Sequence, residues 1–398
     1  MTTSSTTTSS TPDGQPAAAL PMIPITKPYL GEEEAQAAAE AIRTGWIAQG
    51  PLVERFERAL AERLGVAHAV ATSNCTTALH LALLCVGIGP GDEVIVPSFS
   101  FIASANAVLH AGGTPVFVDI NPRTYNIDPS LIEGAITPRT KAIIPVDQIG
   151  LAAELYDVRT VAERHGLRVV EDAAPALGAT YRGRPVGAIS PVTCFSFHPR
   201  KSITTGEGGL ITTDDGAIAA RARVLRSHGA SISDLVRHQA SSVTIEAYEE
   251  LGYNYRMTDI QAAIGIEQLK KFDDVLARRQ VLAERYNALL GALDGVTVPY
   301  APEHAPHTYQ SYCVRLDPEH VAGRDEVMAR MLALNIATRR GVMAIHEEPY
   351  YVNRFGSVLL PVTEAATRHT LLLPLYATMT EVEQDRVVEG LRQSLARG

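Results

Sequence analysis

The chain is poor in cysteine, with four in 398 residues, at Cys75, Cys85, Cys194 and Cys313. Their wide spacing matches neither a metal-ligand pattern nor a disulfide frame, and it fits reduced thiols in a cytoplasmic protein. No metal is expected. Positive charge is also short: 35 Lys and Arg stand against 44 Asp and Glu, a formal net charge of −9. That balance argues against a face for nucleic acid or for an anionic membrane, since neither favours an acidic partner. No apolar run is long enough to span a bilayer. Residues 1–22 lack the basic start and apolar block of a secretory signal; being Ser/Thr/Ala/Pro-rich, they are expected to form a disordered tail. Cytoplasm is the expected location. Two nucleotide fingerprints are missing too. Gly87-Ile88-Gly89-Pro90-Gly91-Asp92 follows a helical segment rather than a strand, and Gly206-Glu207-Gly208-Gly209 lacks the lysine and hydroxyl of a P-loop.

What is present is a 46% hydrophobic chain, large enough for two domains sharing one architecture. Helical segments are expected at Glu32 to Thr44 and Leu52 to Leu64, joined by Gly45 to Pro51, which carries the only tryptophan, Trp46. Strand-like runs then alternate with helical ones: Ala67–Thr72, Glu93–Pro97, Pro115–Asp119, Ala142–Val146, Arg168–Asp172, Val192–Phe197 and Gly209–Thr213. This rhythm predicts an α/β fold with a mainly parallel seven-stranded sheet and helices on both faces. Gly252 to Asp259 reads as an extended loop, with Thr258 capping a long helix that continues to about Leu290. Beyond about Val296 the rhythm changes to a Pro- and His-containing linker, a strand around Tyr312–Leu316 and helices at Arg324 to Leu334 and Glu381 to Leu395. The expected division is a large domain over residues 23–296 and a smaller C-terminal α+β domain over 297–398.

The candidate chemistry centres on Phe195 to Gly209, where Lys201 follows an apolar strand ended by Pro199 and precedes a glycine-rich turn. A partly desolvated lysine at a strand end can become a nucleophile towards a carbonyl; a surface lysine in a turn is the alternative. Upstream, Asp172 ends the strand Arg168–Asp172, and ligands of open α/β sheets sit outside the carboxyl ends of strands. An aspartate and a lysine so placed suit pyridoxal phosphate (PLP). The lysine forms the Schiff base, and the carboxylate keeps the pyridine nitrogen protonated. The segment Thr72 to His80 is a strand end followed by hydroxyl-rich residues opening an apolar helix, and it offers a helix N-terminus to the phosphate.

Taken together, Ser73-Asn74-Cys75-Thr76-Thr77-Ala78-Leu79-His80-Leu81-Ala82-Leu83, Pro97-Ser98-Phe99-Ser100-Phe101, Glu171-Asp172-Ala173-Ala174, Ser196-Phe197-His198 through Lys201, and Gly252-Tyr253-Asn254-Tyr255-Arg256-Met257-Thr258-Asp259 resemble the DegT/DnrJ/EryC1/StrS aminotransferases. The resemblance runs from about Ile25 to the C-terminus. It implies a fold-type I PLP enzyme that transfers an amino group, with glutamate as donor, to a keto-sugar, above all a nucleotide-linked keto-6-deoxyhexose. Lys201 and Asp172 are the implied catalytic residues, and Cys75, Thr76, Phe101, Ser196 and Asn254 join them around the cofactor. Phe101 would stack on the pyridine, with core packing as its alternative. Ser196 would hold the phosphate or else bond to backbone. Asn254 would reach the neighbouring subunit's phosphate, which implies a homodimer with active sites at the interface, or else stabilise its own loop. Trp46, His198, Arg256, Arg340 and His346 are candidate substrate contacts; the alternative is packing for Trp46, a carboxylate pair in the interface for Arg256, and solvated surface charge for Arg340 and His346. Two positions depart from the family pattern: Asp147 stands where histidine is usual, and Pro175 replaces a commoner hydrogen-bonding residue. A free keto-cyclitol or another natural-product ketone is the alternative acceptor. A non-catalytic regulator would want a basic face and a DNA-binding helix pair, and the composition offers neither.

Overall fold

In the computed structural model, which describes residues 21–232 and 245–397, seven strands form one sheet: β1 (His68–Thr72), β2 (Glu93–Pro97), β3 (Thr114–Val118), β4 (Thr140–Ile143), β5 (Arg168–Asp172), β6 (Val192–Ser196) and β7 (Gly209–Thr213). The expected tail falls almost wholly outside the described residues. The spatial order is β1-β7-β6-β5-β4-β2-β3. Neighbours from β6 through β3 pair in parallel, and β7 runs antiparallel to both β6 and β1. The expected mainly parallel sheet is therefore found, with one reversed strand. Every residue of β2, β6 and β7 is buried, as continuous apolar strands covered on both faces require.

The reversal of β7 has a geometric result. The carboxyl ends of β1, β5 and β6 and the amino end of β7 meet on one edge, where Gly209 pairs with Thr72 on one side and Ser196 on the other. A side chain at Gly209 would put its Cβ 2.4 Å from the Asn74 carbonyl, so only glycine lets β7 start there. The helix Cys75–Cys85 leaves β1 at this edge and is apolar nearly all round, because it packs inside the core beside β1, β6 and β7.

A second, antiparallel sheet comprises β8 (Val296–Thr297), β9 (Tyr312–Leu316), β10 (Arg339–Arg340) and β11 (Thr370–Leu373), in the order β8-β9-β11-β10. It shares a core with the helices Phe272–Leu290, Arg324–Ala333 and Glu381–Ser394 through Tyr286, Tyr312, Val314, Met331, Leu371 and Val387. Two contacts pin this part to the large sheet. Asp119, just beyond β3, accepts the Val362 and Thr363 N–H groups and the Thr363 hydroxyl at 2.7–3.0 Å. Ser98, just beyond β2, bonds His346 Nδ1 at 2.6 Å and accepts its N–H at 3.0 Å.

Thr258 caps the next helix as expected, with Gln261 completing a reciprocal pair of hydrogen bonds. The expected single long helix is instead two, Asp259–Lys270 and Phe272–Leu290. At Lys271 (φ −96°, ψ −4°) the α ladder breaks and the N–H turns to Gln268 O. Among the described residues, no helix is long and apolar enough to cross a membrane.

Candidate active site

Lys201 lies in the connection from β6 to β7, and that connection is pinned to one residue. The Phe197 carbonyl accepts the Thr205 N–H at 3.0 Å and the Thr204 hydroxyl at 2.8 Å, while the Phe197 N–H donates to Gly208 O at 2.9 Å. Gly206 takes φ +82°, and a Cβ at Gly208 would fall 2.3 Å from Thr205 Oγ1 and 2.8 Å from Met257. The loop is thus drawn tight, and Lys201 is held by its N–H to His198 O at 2.8 Å. Lys201, Asp172 and Cys75 come from three different elements, yet each lies close enough to shift the others' proton affinity. Burial pushes the Lys201 amine below the ordinary lysine value, against the opposing pull of Cys75 and Asp172. The Cys75 thiol is raised by burial and then by Asp172, which makes it a packing neighbour rather than a thiolate.

Asp172 is only 5% exposed. Its Oδ2 accepts the Ser104 hydroxyl at 2.7 Å and its Oδ1 accepts the Ala174 N–H at 3.1 Å, which fixes the plane of the carboxylate. Burial raises its pKa, and Ser104, Ala174 and the Lys201 charge hold it down. Such a carboxylate gains from a cation brought against it, as a protonated ring nitrogen would be. Ser104 carried no motif signal in the sequence, being one serine among several after Phe101.

Asn74 caps the Cys75–Cys85 helix through Thr77 N–H at 3.0 Å. The Cys75 and Thr76 N–H groups, at the first two helical positions, have no partner among the described residues. Unpaired N–H groups and the positive end of the helix dipole together suit a phosphate dianion. Ser196 lies across the Gly209 junction, with its Oγ accepting the His198 N–H at a long 3.4 Å. The residues present therefore fit PLP: a phosphate seat, a fixed carboxylate and a depressed amine stand on one sheet edge.

Behind Asp172, a further pair of acids is fully buried. Asp147 Oδ1 accepts the Ala153 N–H at 2.8 Å and Glu171 Oε2 accepts the Thr193 hydroxyl at 3.0 Å. The remaining oxygens, Asp147 Oδ2 and Glu171 Oε1, face each other's carboxyl and the Ser190 hydroxyl and accept no N–H among the described residues. Burial first, then mutual repulsion, raises Asp147 well above the carboxylate range, so it carries a proton bonded to Glu171. An acid at the histidine position is accommodated by that proton.

Phe101 is 58% exposed, unlike the other phenylalanines of the large sheet. Trp46 lies over its own turn: its indole N–H donates to Gln49 O at 3.0 Å, and a Cβ on Gly50 would strike the ring. Asn254 is exposed, its backbone bridges to Ser227, and its side chain makes no hydrogen bond among the described residues. Arg256 likewise has no ion pair there. His198 accepts the Arg200 N–H on Nδ1 at 3.2 Å; burial lowers its proton affinity, opposed by the Glu207 carboxylate and helped by the charges of Arg200, Lys201 and Arg339. Arg340 pairs with Glu348 at 3.2 Å, and it is Arg339 that falls within the field of His198 and Arg200. His346 is 3% exposed, packed on Ser98 with Nε2 3.7 Å from Glu364. His346, Glu347 and Glu364 form a group able to face a metal ion, but Arg368 already holds both carboxylates at 3.1–3.2 Å.

The profile described as the DegT/DnrJ/EryC1/StrS aminotransferase family matches residues 28–392. The chain is 44% identical over 378 residues to GDP-perosamine synthase of Caulobacter vibrioides, covering 94% of this chain and 99% of that protein. It is 40% identical over 375 residues to the spore coat polysaccharide biosynthesis protein SpsC of Bacillus subtilis, covering 93% and 96%. DesV of S. venezuelae, solved in complex with a ketimine intermediate, superposes with a TM-score of 0.87 at 35% identity, over 95% of this chain and all of that one.

Proposed function

Because the chain belongs to the DegT/DnrJ/EryC1/StrS aminotransferase family and is a PLP-dependent transaminase of sugar biosynthesis, we propose that it moves an amino group from L-glutamate to a nucleotide-linked keto-6-deoxyhexose. The observation that carries this reading is the convergence of Lys201, Asp172 and the open N-terminus of the Cys75–Cys85 helix on one sheet edge. The similarity to a protein named for a GDP-linked sugar supports the nucleotide.

The cofactor, when bound, supplies a carbonyl for the amine and a ring that accepts the electrons released from a substrate C–H bond. This chain's residues do the rest. Desolvation keeps more of Lys201 as the neutral amine than an exposed lysine would have. It could therefore take a proton from the donor's α-carbon and give it back to the cofactor's exocyclic carbon, on the far side of the nitrogen that joins them. Asp172, oriented by Ser104 and Ala174, holds a proton on the ring nitrogen. The Cys75 and Thr76 N–H groups and the Ser196 hydroxyl would seat the phosphate, and the exposed Phe101 would cover the ring. Asn254, exposed and without a side-chain hydrogen bond among the described residues, would extend to the partner subunit's phosphate in a homodimer.

The test is the absorbance spectrum of PLP-loaded protein before and after adding glutamate, with Lys201→Ala alongside, followed by product analysis on nucleotide keto-sugars. A visible band confined to wild type, converted by glutamate to the pyridoxamine form, with amination of a nucleotide keto-sugar, is expected. No band in PLP-supplemented wild type refutes the role of Lys201. Conversion by glutamate with amination of free ketones alone refutes the acceptor.

A further inference from the structure

Beside Lys201 the structure sets two arginines against each other, and neither has an acid paired with it among the described residues. Neither the Arg200 nor the Arg339 guanidinium has a hydrogen bond or an ion pair among the described residues. Their neighbour Arg340 shows how unusual this is. Arg339 and Arg340 are adjacent on the edge strand β10, so their side chains leave opposite faces; Arg340 finds Glu348, and Arg339 finds only another cation. Burial and then the charge of Arg339 lower the proton affinity of Arg200. Holding like charges together and partly dry is unfavourable unless a counter-charge arrives.

Arg200 and Arg339 line one small recess of about 30 Å3, together with Gln310 and Ser311 and the apolar Ile25 and Leu373. Gln310 braces the loop by donating to Arg200 O at 2.6 Å, and the Ser311 hydroxyl has no partner among the described residues. Arg200 reaches the recess from the Lys201 loop, and Arg339 reaches it from the small sheet. Two planar forks plus a hydroxyl make a donor set for the oxygens of one carboxylate or phosphate. On a chain of net charge −9, Arg200 and Arg339 form a local positive spot, tempered by Glu207 acting on the neighbouring His198.

We propose that Arg200 and Arg339 form a two-guanidinium subsite that grips one oxyanion of the substrate, a carboxylate or a phosphate, on the small-sheet side of Lys201. The proposal rests on the transaminase reading above, in which a carboxylate comes with the amino donor and a diphosphate with the sugar nucleotide.

The experiment titrates PLP-loaded protein calorimetrically with glutarate and, separately, with inorganic pyrophosphate. The proteins are wild type, Arg200→Gln, Arg339→Gln, the double variant and Arg392→Gln, which removes a positive charge from a distant exposed helix. At least one anion is expected to bind wild type and Arg392→Gln alike, and to weaken about tenfold or more in each single variant at Arg200 or Arg339. Dependence of glutarate binding assigns the subsite to the donor, and dependence of pyrophosphate binding assigns it to the nucleotide. The proposal is overturned if neither anion binds wild type, or if binding survives unchanged in the double variant. Arg339 is exposed, so its variant carries the test even should Arg200→Gln fail to fold. A protein that aminates no nucleotide keto-sugar yet holds glutarate through these arginines loses the proposed acceptor and keeps the subsite.

Discussion

Replacing Asp147 with asparagine should make the protein more stable, and increasingly so as the pH rises. In the folded chain Asp147 keeps its proton because burial and the facing Glu171 carboxylate oppose its ionisation. The groups packed on the pair are the Ala153 N–H, the Thr193 and Ser190 hydroxyls and the Asp172 carboxylate, none of them a cation. In the unfolded chain the same aspartate ionises near its ordinary value of 3.8. Its folded pKa being raised, whatever stability the proton contributes is complete below about pH 4 and is lost as the pH rises towards the folded value. The loss runs at about 1.4 kcal/mol per pH unit between the unfolded and the folded value. Asparagine imitates the protonated acid without this loss. Its amide oxygen keeps the Ala153 bond and its NH2 donates to Glu171. Urea unfolding of PLP-loaded wild type and Asp147→Asn, from pH 5 to pH 8, should show a gap in favour of the variant that widens with pH. A gap that is flat across the range, or a variant weaker than wild type at pH 8, refutes the shared proton.

Ser104→Ala leaves Asp172 Oδ2 without its donor and should reduce kcat/KM about tenfold through a less firmly held carboxylate, read in the glutamate half-reaction. Gly209→Ala drives a methyl into the Asn74 carbonyl and should weaken PLP retention with a loss of about 1–3 kcal/mol of stability, read by calorimetry and dialysis against buffer; unchanged retention would show that the strand can shift. Mixed dimers of Asn254→Ala and Lys201→Ala chains should contain one site with both lesions and one with neither. They should recover up to about half of wild-type activity per mixed dimer, whereas no recovery would place Asn254 in its own subunit's site.

The strand rhythm, the glycine-rich loop after β6 and the hydroxyl-rich helix start were legible because each is a local pattern. The reversed course of β7 was not, since a buried five-residue strand such as Gly209–Thr213 looks alike in either direction. The short strands β8 and β10 escaped for lack of length, and the break at Lys271 because it falls among good helix formers. In the site, Lys201 and Asp172 carry motifs, whereas Ser104 gains its role only from a contact 68 residues away. Asp147 was visible as a departure in the sequence, but its proton depends on Glu171 facing it across strands. Of the arginine doublet, alternation separates the two members, and only the fold says which one meets Glu348.

The pins at Asp119 and Ser98 bear on how molecules come and go. Each joins a segment just beyond a large-sheet strand to the stretch between residues 346 and 363, through buried short bonds. A wide swing of the smaller sheet would have to break five such bonds at once, including those to a carboxylate whose one further partner among the described residues is its own next amide. The smaller sheet is therefore anchored to the large one at two points, and any adjustment beside Lys201 falls to exposed side chains such as Phe101 and Arg339 rather than to the sheets.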